Sequence, residues 1–233
     1  MSHPRNRRLH PDMLLRAYAS GIFPMAETAT SEDVFWVEPR RRGVLPLDGF
    51  HAPRSLVKAL RQNRFTFTHD TAFAEVLAAC AAPGPGRPQT WINGLIQEAC
   101  LALHQQGQAH SIEAWAADGQ LAGGLYGVRL GGAFFGESMF TRVTDGSKAA
   151  LAALVVRLRV GGFKLLDTQF ITEHLARFGT IEIDRKRYRS LLAGAVSASS
   201  DFGALDRLAA APATTVSGPL SGQFIAQLLT QTS

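Results

Sequence analysis

A chain of 233 residues that is 46% hydrophobic, 18% charged and 9% aromatic has enough apolar material for a core and too little charge for a disordered protein. Its longest apolar run, Ala149 to Val156, is far short of the roughly 20 residues that cross a bilayer, and Pro11, Asp12 and Arg16 interrupt the chain after the basic start at Arg5, Arg7 and Arg8, so the sequence predicts neither a membrane span nor export. The formal net charge of +5 is local: residues 1–64 hold 11 Lys and Arg against 6 Asp and Glu, and the remainder holds 13 against 13.

The first 108 residues are predicted to be mostly helical, with helices over 11–20, 53–62, 71–82 and 94–106 and short extended pieces at 34–37 and 43–47. Asn93 is the expected cap of the fourth helix and Gly107 its stop. Between the third and fourth helices, residues 81–88 with their Pro-Gly-Pro-Gly core form the clearest loop. Arg40, Arg41, Arg42, Arg54, Lys58, Arg61 and Arg64 crowd one short region, either a surface that follows a phosphate backbone or a solvated basic face.

From residue 109 the hydrophobic period changes. Segments 109–116, 120–128 and 133–140 read as strands of an antiparallel meander, joined by Asp-Gly and Gly-Gly turns. A helix over 145–160, capped by Asp145, leads to an apolar strand at 163–170, a helix at 172–178, an extended piece at 180–183 and a helix at 184–192. Past Gly194 the chain is rich in Ala, Ser, Thr and Gly, and a partly ordered tail with a short amphipathic piece at 224–229 is expected. The expected organisation is α+β: a basic N-terminal segment 1–64, a helical remainder of the N-terminal domain at 65–108, a catalytic domain at 109–194 and the tail at 195–233.

Three polar residues interrupt apolar strands: Glu137, Asp167 and Gln169. Carboxylates among such neighbours are desolvated unless paired, and alternation along a strand puts Asp167 and Gln169 on one face, where a shared hydrogen-bond network can orient an amine. The structural alternative is that each satisfies buried backbone or a basic partner such as Lys148. Leu151, Leu154 and Leu158 form a helical stripe that is either core or, with Phe134 and Met139, the wall of an apolar pocket. Trp36 and Trp91 lie near basic residues, where an indole either stacks on a nucleobase or is half buried for packing. No P-loop or dinucleotide fingerprint occurs, no Cys or His spacing suits zinc, and Cys80 and Cys100 read as buried thiols.

Taken in order, the segments Ala17-Tyr-Ala-Ser-Gly-Ile-Phe-Pro-Met25, Thr90-Trp-Ile92, Ala109-His-Ser-Ile-Glu-Ala-Trp115, Gly123-Gly-Leu-Tyr-Gly127, Phe135-Gly-Glu-Ser-Met-Phe140, Gly146-Ser-Lys148 and Leu166-Asp-Thr-Gln169 resemble the leucyl/phenylalanyl-tRNA–protein transferases over about residues 11 to 192. The resemblance implies a monomeric cytoplasmic aminoacyltransferase without a cofactor. Its donor is aminoacyl-tRNA charged with Leu, Phe or less readily Met, and its acceptor is a protein beginning with Arg or Lys, marked thereby for N-end-rule degradation. It also implies an N-acetyltransferase-like C-terminal domain with a central, mostly antiparallel sheet, beside a small, mainly helical N-terminal domain. By the same resemblance Asp167 and Gln169 are a catalytic relay, and Glu137 stands beside the acceptor. Leu125, Phe134, Met139, Leu151, Leu154, Leu158 and Leu166 line the donor pocket, while Trp36 and Trp91 hold the terminal adenosine. Phe134 and Met139 alternate to opposite faces of an ideal strand, so both reach one pocket only across a bulge or bend. The competing expectations are a coenzyme A-dependent N-acyltransferase, which would need a glycine-rich pyrophosphate loop, and a noncatalytic RNA-binding module on the basic face.

Overall fold

The computed structural model describes residues 8–84, 89–211 and 218–231; positions 85–88 of the Pro/Gly loop, 212–217 of the tail and Arg5 and Arg7 of the basic start lie outside them. The described chain begins with α1 (Pro11–Ala19), whose proline sits in the first turn, where a missing N–H breaks no helical bond. A two-stranded ribbon follows, β1 (Phe23–Met25) against β2 (Phe35–Val37), with Pro24 opposite Trp36. Next come β3 (Arg41–Val44), α2 (Arg54–Arg61), β4 (Thr66–His69), α3 (Phe73–Ala81) and α4 (Gly94–Gln105). Asn93 caps α4 as expected, its side-chain oxygen accepting the Ile96 N–H at 3.0 Å. The meander is β5 (Ala109–Trp115), β6 (Leu121–Leu130) and β7 (Ala133–Thr141). It leads into α5 (Gly146–Val160), β8 (Leu165–Gln169), α6 (Glu173–Ala176), β9 (Ile181–Asp184) and α7 (Arg185–Val196), and the tail adds α8 (Ala204–Ala209), β10 (Leu220–Ser221) and α9 (Gly222–Thr230).

One eight-stranded sheet, in the order β10-β4-β5-β6-β7-β8-β3-β9, organises these elements. Every neighbouring pair is antiparallel except β7 and β8, which run parallel. Two apolar clusters hold it from either side. One gathers Leu56, Leu125, Leu151, Leu154, Phe202 and Ile225 around α5, α2, α8 and α9; the other gathers Leu14, Tyr18, Val76, Ile96 and Leu192 from α1, α3, α4 and α7. Each buried Leu contributes about 1.5–3 kcal/mol relative to exposure. The leucine stripe of α5 understates its setting, since every residue from Ala149 to Leu158 is buried. Its start presses on β6: a Cβ on Gly123 would stand 2.5 Å from the Gly146 carbonyl carbon, so only glycine permits that approach.

The structure departs from the sequence expectation in three places. The divisions at 64 and 108 do not follow the sheet, because β3 and β4 insert between or beside the strands of the 109–194 segment, and the mainly helical N-terminal part therefore supplies two strands of the central layer. Asp145 takes a left-handed conformation (φ 71°) and makes no capping bond; its carboxylate pairs with Lys148 at 2.8 Å. The tail is also more structured than its composition suggests, since α8 and α9 bury Leu205, Ile225 and Leu229 against the core and β10 extends the sheet beyond β4. Among the described residues no helix is long and apolar enough to cross a membrane.

Candidate active site

The parallel strands β7 and β8 pair only from Ala133 to Phe135 and from Leu165 to Asp167, then separate. Both carry an irregularity at the point of separation. On β7 the partners step from Tyr126↔Ser138 to Gly127↔Gly136, leaving Glu137 as an extra residue. On β8 they step from Val44↔Asp167 to Gly43↔Gln169, leaving Thr168 unmatched, and Gln169 takes φ 56°. Bulges of this kind bend a strand and re-aim its side chains. Gly43 lets β3 follow the bend, since a Cβ there would lie 2.7 Å from the Phe170 carbonyl carbon.

A cavity of about 320 Å³ opens where the strands part. Leu125, Met139, Leu151, Leu154 and Leu166 make its aliphatic wall and Glu137, Ser138, Thr168 and Gln169 a polar wall, with Phe23, Met25, Trp91, Phe170 and His174 among the other lining residues. Gln169 donates from Nε2 to Glu137 Oε1 at 3.3 Å, which leaves its carbonyl oxygen available as an acceptor. Burial pushes the Glu137 carboxyl up to about 8; Asp167 pushes it the same way, while a hydrogen bond from Tyr18 and the Arg42 charge oppose. At neutral pH Glu137 is therefore held mainly as a neutral acid.

Asp167 lies behind the polar wall, fully buried. Its carboxylate accepts from Arg42 Nε (2.9 and 3.1 Å) and Nη2 (2.6 Å), from the Tyr188 hydroxyl (2.6 Å) and from the Gln169 backbone N–H (2.8 Å). The Arg42 guanidinium in turn donates to the Gly21 carbonyl and sits between the Phe23 and Tyr188 rings, 4.6 Å from each centroid. Burial first, and the Asp167 charge second, hold the Tyr188 phenol far above its ordinary range, so it stays a donor. The partner of Asp167 is thus Arg42, whereas Lys148 pairs with Asp145. Asp167 joins Gln169 through the backbone, fixing the left-handed turn that aims the amide at Glu137.

Of the residues singled out by sequence, Glu137, Gln169, Leu125, Met139, Leu151, Leu154, Leu166 and Trp91 meet at the cavity. Four lie elsewhere, the first being Asp167 behind the polar wall. The β7 bulge required for Phe134 and Met139 to share a face is present, but Phe134 lies deeper along that face, stacked on Phe202 with ring centroids 5.7 Å apart. Leu158 is buried in the core, further along α5 than the cavity wall. Trp36 is 40% exposed on β2, one strand outside the β1 residues Phe23 and Met25 that line the opening. Sequence reasoning missed Arg42, Tyr188, Tyr18 and His174; the one signal for Arg42 was that consecutive arginines on a strand alternate faces.

The basic cluster likewise divides. Arg42 is buried, Arg41 pairs with Glu182 at 2.7 Å, and on α7 Arg185 and Arg189 both pair with Glu38. Arg54, Lys58 and Arg61 are exposed on α2, whose opposite face buries Leu56, Ala59 and Leu60.

Two family models cover this architecture: leucyl/phenylalanyl-tRNA protein transferase matches residues 44–193, and the N-terminal domain of the same transferase matches residues 7–40. The chain is 54% identical over 248 residues to the leucyl/phenylalanyl-tRNA–protein transferase of Rhizorhabdus wittichii, covering 97% of this chain and 100% of that one. It is 59% identical over 195 residues to the transferase of the same description from Nitrobacter winogradskyi (84% and 86% covered), and 53% identical over 214 residues to that of Phenylobacterium zucineum (92% and 96%). With a family model spanning well over half of the sequence and relatives matched along nearly their whole length, the chain belongs to the leucyl/phenylalanyl-tRNA protein transferase family.

Proposed function

We propose that the enzyme takes Leu or Phe, and less readily Met, from aminoacyl-tRNA and joins it to the N-terminal α-amine of proteins beginning with Arg or Lys, marking them for N-end-rule degradation in the cytoplasm. The observation that carries this is the cavity in the split between β7 and β8, where an aliphatic wall faces the Glu137–Gln169 pair. The aliphatic wall suits an apolar donor side chain, and its size discriminates against a smaller one by only about 1–3 kcal/mol per methylene. The ribbon with Trp36, together with Trp91, suits a nucleoside at the opening. The split parallel pair beyond an antiparallel meander also supports an N-acetyltransferase-like arrangement of the catalytic layer.

In the proposed reaction the lone pair of the acceptor amine attacks the carbonyl carbon of the aminoacyl ester. A C–N bond forms, the bond from that carbon to the ribose oxygen breaks, and a proton from the amine ends on the departing ribose oxygen. The Gln169 carbonyl, left open because its NH₂ is engaged by Glu137, accepts one amine N–H and directs the lone pair at the ester. The ester is already activated, so positioning is the main demand, and proximity can supply about 7–11 kcal/mol. Asp167 serves by holding Gln169 in place. A cationic Arg or Lys side chain approaching Glu137 would draw its carboxyl toward the ionised form, which gives the acceptor preference an electrostatic basis.

The test is transfer of labelled leucine from leucyl-tRNA to a peptide beginning with Arg, beside the same peptide with its α-amine acetylated. Label on the free peptide alone is the expected outcome. Label on neither, with intact leucyl-tRNA and folded protein, would move the assignment to an RNA-binding module. Leu154→Ala and Leu166→Ala should raise KM for leucyl-tRNA several-fold more than for phenylalanyl-tRNA, because a deeper pocket suits the larger ring.

A further inference from the structure

A second concavity, of about 520 Å³, lies on the far side of β8 and shares with the catalytic cavity one wall residue, Leu166. It is bounded by the end of β3 and the turn after it, the start of β8, the edge strand β9 and α7. Its floor is aliphatic: Leu47 and Leu165 are buried, while Ile181 and Leu191 stand 43% and 44% exposed. Two features separate this groove from ordinary surface.

The first is charge. Arg159, Lys164 and Arg187 border the groove against a single acid, Asp48. Arg185 and Arg189, the neighbours of Arg187 on α7, are both paired with Glu38, and Arg41 on β3 is paired with Glu182. Arg159 donates to the Leu47 carbonyl, whereas Lys164 and Arg187 have no ion-pair partner among the described residues, so two cations at this groove are left to pair with an incoming acid. The second is the character of the floor. Single-stranded nucleic acid is held by exposed aromatic rings on which bases stack, yet Phe163, the ring in this wall, is 4% exposed and the accessible apolar side chains are branched aliphatics. A cationic rim over an aliphatic floor is complementary to an acidic peptide that also presents aliphatic side chains.

We infer that the groove between β8, β9 and α7 docks an acidic, aliphatic-bearing segment of a partner protein, separately from the aminoacyl-transfer cavity. Aliphatic side chains of the partner cover Ile181 and Leu191, and its carboxylates pair with Lys164 and Arg187.

The probe is a fluorescein-labelled peptide of alternating Leu and Glu, titrated with the full chain and followed by anisotropy beside an alternating Ser and Glu peptide and an oligouridylate of similar length. Saturable binding of the Leu-Glu peptide is expected, weakened about tenfold or more by the double variant Lys164→Glu/Arg187→Glu and similarly by Ile181→Ser/Leu191→Ser. Both variants should keep the wild-type thermal midpoint to within a few degrees and transfer leucine to a short Arg-initiated peptide at the wild-type rate. Failure of the Leu-Glu peptide to bind, equal binding of the Ser-Glu peptide, tighter binding of the oligouridylate, or indifference to the charge reversal would each overturn the inference.

Discussion

Glu137 is an acid the fold prefers uncharged. Its carboxyl sits at about 8 in the folded chain against an ordinary value of 4.5, so protonation and folding are coupled. The folded value is the higher one; the associated stability is therefore fully present below about 4.5 and is lost as pH rises through about 8. Glu137→Gln keeps the shape without the titration. Urea denaturation should show the wild type losing stability relative to this variant between pH 5 and pH 9, by on the order of a few kcal/mol at the upper end. Parallel curves would mean that Glu137 titrates alike in the folded and unfolded chain. Asp167 behaves differently, because its negative charge balances a guanidinium that is itself 1% exposed. Asp167→Asn strands Arg42 in the interior at a cost of about 3–5 kcal/mol, whereas replacing both partners, as in Arg42→Met/Asp167→Asn, should cost less than the two single changes added together. A double-mutant cycle by denaturation checks this. It also shows how much of any lost transfer in Asp167→Asn reflects global unfolding rather than a misplaced Gln169.

At the scale of elements, the start of the tail is fastened to α5 through α8. Arg157, 2% exposed on α5, donates to both oxygens of Asp206 on α8 (2.6 and 2.8 Å) and to the Phe202 carbonyl (2.7 Å). The Phe202 ring then packs on His110 and Phe134, and His69 approaches Asp206 at 3.6 Å. Asp206→Asn should lower stability by about 1–3 kcal/mol and accelerate amide exchange in α8 before the β5–β7 meander is affected; uniform acceleration would show that α8 opens only with the whole domain. Acid should loosen the same contact. Burial, then Arg157, depress His69 below 6.5, so its contribution is present above that value and lost as pH falls, and the depressed Asp206 follows at lower pH. This tail contact also explains what the sequence could not reveal. The meander was legible because short apolar segments are separated by Asp-Gly and Gly-Gly turns, and α5 because an unbroken run of alanine and branched residues fits a buried helix. β4 was not, since four residues with alternate polar side chains become a strand only through their pairing with β5, far along the chain. Periodicity likewise assigns Phe134 to a face of β7 but not to a depth, and the depth is decided by Phe202. Arg42 was grouped with its neighbours as surface charge because local sequence does not show that the buried side of β3 meets Asp167.

For the whole molecule, the excess positive charge of the first 64 residues becomes a directional feature only after folding removes part of it. Arg42 is consumed by Asp167 and Arg41 by Glu182, while α2 turns Arg54, Lys58 and Arg61 to solvent on one helical face and its leucines to the core. If that face meets the phosphates of the donor RNA, each side chain releases a condensed counterion on binding, and the logarithm of the affinity falls with the logarithm of salt by about 0.7–0.9 per contact. The triple variant Arg54→Ala/Lys58→Ala/Arg61→Ala should therefore reduce the slope for aminoacyl-tRNA binding by about 2–3 and weaken binding most at low salt. Arg41→Ala, already neutralised by Glu182, should change the slope by much less. Because these side chains lie away from the cavity, kcat at saturating aminoacyl-tRNA should be retained while KM rises. An unchanged slope in the triple variant would take α2 off the RNA-binding surface and leave steering of the donor to other basic side chains, such as Arg40, exposed just after β2.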